Sequence, residues 1–283
     1  MRLLLIFLLF PVLSFADCRT VATTDPSCIT SHQWQVRVGF GLGHRSNPLV
    51  SGRNFPYWIM PDISYYANHW FFDNGTLGYS WTLSPTLQLS LLSRLNEEKG
   101  YFRRAHPSNF FTQSMTNSIR FSGPMLQTEA MPAVSIDEVS KRPTALDAGL
   151  QLDWFLPHVQ VKANFWQDIS QQYHGQHASL TLQRGWQHTS GFWQLSGSVL
   201  WKSSKLMQTY YGLDVNDQVA AFYQPNASWQ SELKFSWTYP LSERWSSVVF
   251  YRYRWLDQPM IDSPLVQESS IRGWFLGLSY QLL

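Results

Sequence analysis

Between Trp229 and Tyr239 the chain changes character at every residue. Trp229, Ser231, Leu233, Phe235, Trp237 and Tyr239 alternate with Gln230, Glu232, Lys234, Ser236 and Thr238. A period of two puts the first set on one face of an extended strand and the second on the other. The pattern recurs. Trp245, Ser247, Val249, Tyr251, Tyr253 and Trp255 alternate around Arg252 and Arg254, and Trp193, Leu195, Gly197, Val199 and Trp201 form another set. Shorter sets run from Ala148 to Trp154, from Val159 to Phe165 and from Leu87 to Leu95. At about ten residues or more, these strands exceed the usual five or six of globular sheets. Trp245 and Trp255, ten residues apart in sequence, stand roughly 25 Å apart along a barrel axis if the strand tilts by about 40°. That is the height of a lipid-facing band, and aromatics at both ends are what its two interfaces favour.

Composition agrees. Charged residues make up 14% and aromatics 16%, where a soluble domain carries about a quarter charged residues. Past Ala16 no window approaches the roughly 20 apolar residues of a membrane helix. A transmembrane barrel reconciles these facts, because only alternate residues of its strands meet lipid. The net charge of +2 gives no field that would gather nucleic acid. Residues 1–16 read as a secretory signal: a basic start at Arg2, an apolar run from Leu3 to Phe15, and Ser14-Phe15-Ala16 as the cleavage signal. Lipid attachment at Cys18 is disfavoured by Asp17 before it. Residues 17–32 are expected to form a periplasmic segment in which Cys18 and Cys28 pair as a disulfide. A metal or redox role for the two is the alternative, and no histidine or CxxC spacing accompanies it. Residues 33–283 are the expected barrel.

Connections alternate between short ones (Pro157-His158, His188 to Gly191, Pro240 to Arg244) and long ones (Ser170 to Gln176, Lys202 to Ala227, Leu256 to Ser270). Short turns belong to the periplasmic side and long loops to the outside. The expected architecture is therefore all-β: a closed antiparallel up-and-down barrel of about twelve strands, with ten as the fallback. Eleven strands are evident, so one is unplaced. It falls either in Asn109 to Phe121 or at Asp73-Asn74-Gly75, a hairpin signal that would divide one segment into two. The final strand alternates through Trp274, Leu276, Leu278, Tyr280 and Leu282 and is expected to be the segment read by the barrel-assembly machinery. Trp193, Trp201, Trp229, Trp237, Trp245 and Trp255 are the expected interfacial girdle.

Several local patterns together resemble the MipA/OmpV family of outer-membrane proteins. Val38-Gly39-Phe40-Gly41-Leu42-Gly43 leads to Ile63-Ser64-Tyr65-Tyr66, and Phe71-Phe72 precedes Leu77-Gly78-Tyr79. Thr209-Tyr210-Tyr211-Gly212-Leu213 leads to Tyr223-Gln224-Pro225. Leu241 to Trp245, Asp262-Ser263-Pro264-Leu265-Val266 and Gly277-Leu278-Ser279-Tyr280 follow. The Tyr-Tyr-Gly and Asp-Ser-Pro-Leu-Val elements are the most specific. The chain departs from the family in its terminal Leu283, where members commonly carry Phe, and in the unfamiliar stretch from Glu97 to Pro143. The resemblance implies a scaffold: the namesake links a membrane-bound lytic transglycosylase to a penicillin-binding protein in peptidoglycan metabolism. It defines no catalytic residue; separately, the aromatic stripes call for no cofactor, and a metal at His174 and His177 would need further ligands that the sequence does not show.

Three functions follow as expectations. The first is a non-enzymatic anchor in the outer membrane, in contact with lipid and lipopolysaccharide, with peptidoglycan enzymes as partners. The second is a small-solute channel, in which Lys162, Glu232, Lys234, Arg252 and Arg254 line the lumen and set ion preference. The alternative for these charges is an ion-pair network that fills the lumen. The third is a rim hydrolase using His174 or His177 with Asp168 as a base; water-facing loop imidazoles are the plainer reading. Arg103, Arg104 and His106 form a basic cluster that either meets lipopolysaccharide phosphate or is simply solvated.

Overall fold

The computed structural model describes residues 31–110, 133–217, 219 and 221–283. The signal segment and the Cys18–Cys28 pair lie outside the described residues. The strands are β1 (Trp34–Arg45), β2 (Phe55–Pro56), β3 (Ile59–Tyr66), β4 (Trp70–Asp73), β5 (Thr76–Ser84), β6 (Leu87–Leu95) and β7 (Leu146–Phe155). They continue with β8 (Gln160–Asp168), β9 (Gln176–His188), β10 (Gly191–Lys202), β11 (Ser228–Pro240), β12 (Trp245–Trp255) and β13 (Ser270–Gln281). Neighbours pair antiparallel in chain order, and β13 returns to β1 in a register running from Arg37↔Gln281 to Arg45↔Gly273. The sheet is thereby closed. β2 and β3 both pair with β1, so β2 is a short extra strand above β3 and the wall has twelve staves. The first strand begins and the last strand ends on the short-turn side.

The unplaced strand is β4. Asp73 pairs with Thr76 around Asn74-Gly75, whose φ angles of 47° and 88° are those of a type I′ turn. Gly75 supplies the left-handed position without steric cost. Asn74 also fastens the hairpin to the previous strand: its Nδ2 donates to Asp62 at 2.7 Å and its Oδ1 accepts from the Ile63 amide at 3.0 Å. The competing location begins at Asn109, the last residue of a 3-10 turn, Pro107–Asn109; the rest of it, from residue 111, lies outside the described residues.

The outward face carries the apolar belt. Phe40, Leu42, Leu91, Leu150, Leu180, Leu182, Val199, Trp229 and Leu276 are all exposed on the wall. Among the described residues no helix is long and apolar enough to cross a membrane; the crossing is made by strands. Three short helices sit in the long connections: α1 (Lys99–Phe102), α2 (Ser204–Tyr211) and α3 (Gln258–Ile261).

Candidate functional site: a capped lumen

Two apolar assemblies face inward. The smaller lines one arc of the wall, where Phe250 and Phe275 stack at 5.9 Å and Tyr57, Met60 and Val248 pack beside them. Gly41 and Gly277 make room for this arc. A Cβ on either would lie 2.9 or 2.7 Å from the Phe275 ring, so β1 and β13 close with the ring laid over bare backbone.

The larger assembly closes the outer end. α2 starts at Ser203, whose hydroxyl accepts from the Leu206 amide at 3.4 Å. Its buried residues Leu206, Met207, Tyr210 and Tyr211 recur at helical spacing and form one face. That face meets Leu49 from the first loop, Tyr101 from α1, Val134 and Ala145 from the same β6–β7 connection that carries α1, and Met260 and Leu265 from the last loop. Backbone bonds cross-link the same loops: Val50 N–H to Leu265 O, and Val134 N–H to Pro264 O, both 2.8 Å. Ser263 donates to the Tyr211 carbonyl at 2.6 Å. The two most specific motifs of the family resemblance, Tyr210-Tyr211-Gly212 and Asp262 to Val266, thus meet at the centre of this cap.

Charge ties the cap to the wall. Glu98, at the start of α1, pairs with Lys202 at the top of β10 at 2.7 Å and accepts the Tyr211 hydroxyl. Burial pushes the Glu98 carboxyl up, but Lys202 and the bonds from Lys202 and Tyr211 outweigh it and hold it below the ordinary range. A second buried pair, Arg142–Asp217 at 2.9 Å, joins two outer loops. Asp217 also accepts from the Ser140 hydroxyl at 2.7 Å.

The charges singled out in the sequence all sit on the inward register. Glu232 lies between Arg254 at 2.7 Å and Arg252 at 3.6 Å. Lys162 faces Asp153 at 3.8 Å, and Lys234 lies opposite Arg252. Sequence reasoning missed Glu98 and Lys202. Lys202 had a signal, since it continues the polar register of β10; Glu98 sits in an aperiodic loop and had none.

The tryptophans fall into two rows. Trp186, Trp193 and Trp237 are mutually aligned toward the short-turn end, and Trp201 and Trp229 toward the other. Trp245 packs on Tyr280 at 4.7 Å, and Trp255 caps the upper end of β12. Trp274, Leu276, Leu278, Tyr280 and Leu282 keep their alternation; Trp274, Leu276, Leu278 and Tyr280 lie on β13, and Leu282 follows its end.

The histidine grouping expected for a hydrolase does not form. Asp168 instead accepts the Ser170, Tyr173 and His174 amides at 2.7–2.9 Å and closes its own loop. His177 Nε2 bonds Asp147 at 3.0 Å and stacks on Trp166. Asp147 also accepts from Tyr173 and Asn96, each at 2.7 Å. Burial, then the Asp147 charge, raise the Tyr173 phenol, so it stays a donor. All the groups in this network are engaged with one another, as in a strut. Of the basic cluster, His106 is buried as an N-cap, while Arg103 and Arg104 are exposed.

The family model described as MltA-interacting protein MipA matches residues 29–282. No curated protein matches the sequence. Among solved structures, the NanC porin is similar at 11% identity, covering 88% of this chain and 100% of that chain, with a TM-score of 0.40. The toluene transporter TodX of Pseudomonas putida is similar at 10% identity, covering 89% and 90%, with a TM-score of 0.39. An outer membrane channel of Pseudomonas putida F1 is similar at 10% identity, covering 91% and 98%, with a TM-score of 0.38.

Proposed function

Because this chain belongs to the MltA-interacting protein MipA family and is a β-barrel of the outer membrane, we propose that it acts as a non-enzymatic membrane anchor. Its periplasmic side holds peptidoglycan-remodelling enzymes, a lytic transglycosylase of the kind in the family's name and a penicillin-binding protein. One observation carries the anchor reading over the channel reading. The outer end of the lumen is filled by a packed core in which Tyr210, Tyr211, Met207, Leu49 and Met260 have no exposed surface. An open conduit has no use for such a core, whereas an anchor gains rigidity from it. The partners come to this chain from the family alone, and the short-turn side with the segment at residues 17–32 is where they would dock.

The test has two arms. The full mature chain is reconstituted in a planar bilayer, and separately immobilised in detergent and presented with a purified membrane-bound lytic transglycosylase. A silent bilayer and saturable binding are expected. Steady conductance from the unaltered chain overturns the anchor reading in favour of a channel. Absence of transglycosylase binding removes the proposed partner.

A further inference from the structure

On the outer face, beside the cap, lies a cavity of about 300 Å³ walled by the loop after β1, by α1 and by the stretch around Ile136. Three of its lining residues are Arg45, Arg53 and Arg104. Arg45 is the informative one. It stands at the end of β1, is only 9% exposed, lies over the Tyr101 ring at 5.0 Å and donates to the Asn109 side-chain oxygen. Among the described residues neither it nor the other two arginines has an ion-pair partner. The carboxylate on the lining, Asp137, is exposed and pairs with none of them. A buried guanidinium without a counter-charge is unfavourable unless something supplies one. The surroundings make this worse for a bare cation: burial, then Arg103, Arg142 and Lys141, hold the nearby Lys99 ammonium below its ordinary value.

We propose that this cavity is an anion site that takes a phosphomonoester carried on a sugar-sized body. Guanidinium groups match phosphate oxygens two at a time, and three of them suit a dianion better than a single carboxylate. Phe55, on the lining and only half-buried, provides a flat apolar wall for a sugar face. The volume is at the lower end of small-molecule sites, about 300–1,000 Å³, and excludes a long chain. Two sources present this chemistry outside the cell: free sugar phosphates, and the phosphorylated headgroup of lipopolysaccharide in the outer leaflet. The site faces away from the periplasmic side, so it stands or falls independently of the anchor role.

Titration calorimetry on the detergent-purified full chain, at low and moderate salt, uses glucose 6-phosphate, glucose and lipopolysaccharide micelles as probes. Binding of glucose 6-phosphate, no binding of glucose, and weakening by salt are expected. The doubly substituted R53Q/R104Q chain, altered only at exposed side chains, should bind at least about tenfold more weakly with an unchanged melting profile. R45Q should abolish binding; if it also lowers the melting temperature, the R53Q/R104Q result decides. Competition between lipopolysaccharide and glucose 6-phosphate identifies the headgroup as the physiological source, and binding of the sugar phosphate alone identifies a soluble one. Equal behaviour of glucose and glucose 6-phosphate, or wild-type affinity in R53Q/R104Q, overturns the proposal.

Discussion

The wall and the cap are both rich in aromatic and aliphatic side chains, yet they meet opposite demands. On the wall these side chains stay exposed: Leu182 is 54% and Trp229 62% accessible, because their partner is hydrocarbon. In the cap they are sealed, as Tyr211 and Met207 show at 0%, because their partner is one another. The wall obtains its stability from backbone pairing that lipid cannot replace. The cap obtains its stability as a soluble core does, from packing and a few buried charge pairs. The two should therefore fail separately.

The largest effect is expected in the cap. Tyr211→Ala removes a fully buried ring and the hydroxyl that Glu98 accepts, at a cost of about 3–5 kcal/mol. Protease cleavage between residues 203 and 227 should appear in the reconstituted protein, while the barrel keeps its heat-modifiable migration in gels. Simultaneous loss of both would show that cap and wall are one cooperative unit. A somewhat smaller effect is expected on the wall. Leu182 lies midway along β9, opposite Val161 and Gly197, so Leu182→Arg places a charge near mid-bilayer at about 2–4 kcal/mol. Folding yield into vesicles should fall, and the molecules that do insert should show wild-type loop protection. Normal insertion would mean that this face does not meet lipid.

The same division explains what the sequence revealed. The wall was legible because lipid on one side and lumen on the other force a strict alternation; Trp229 to Tyr239 announces both faces without tertiary context. Even the difficult strand was visible in its turn chemistry, through Asn74-Gly75. The cap was not legible. Its core is assembled from Leu49, Tyr101, Tyr211 and Leu265, residues up to 216 positions apart in sequence (265 − 49), and no periodicity links loops that meet only in three dimensions. The motif pairs Tyr210-Tyr211 and Pro264-Leu265 marked the right places, though nothing in them revealed that they touch. The hydrolase grouping failed for a related reason. Asp168 and His174 share a loop, but Asp168 is consumed by amides, and the partner of His177 comes from β7 as Asp147.

The smallest effect is a pH dependence confined to the cap, and it sharpens the comparison without any change in packing. Burial, then the Lys99 charge, hold His106 below its ordinary value near 6.5; its Nε2 is buried without a hydrogen-bond partner among the described residues. Glu98 and Asp217 are also held low: burial raises each, but Lys202 and Tyr211 outweigh it for Glu98, and Ser140, the Asp214 backbone and Arg142 for Asp217. In all three the folded value lies below the unfolded one, so the unfolded cap binds protons first on acidification. Each contribution is fully present above the unfolded value and lost as pH falls through the folded one. Cap stability should therefore decline in two windows, the first below about 6.5 from His106 and the second below about 4.5 from the carboxylates. Hydrogen exchange of the α2 amides, corrected for the intrinsic pH dependence, reads this directly, with the β10 and β11 amides as the internal control. His106→Gln should erase the first window and leave the second. If α2 protection is flat between pH 7 and 5, or declines equally in His106→Gln, then His106 is not the group that titrates, and the cap's sensitivity to acid lies in its carboxylates alone.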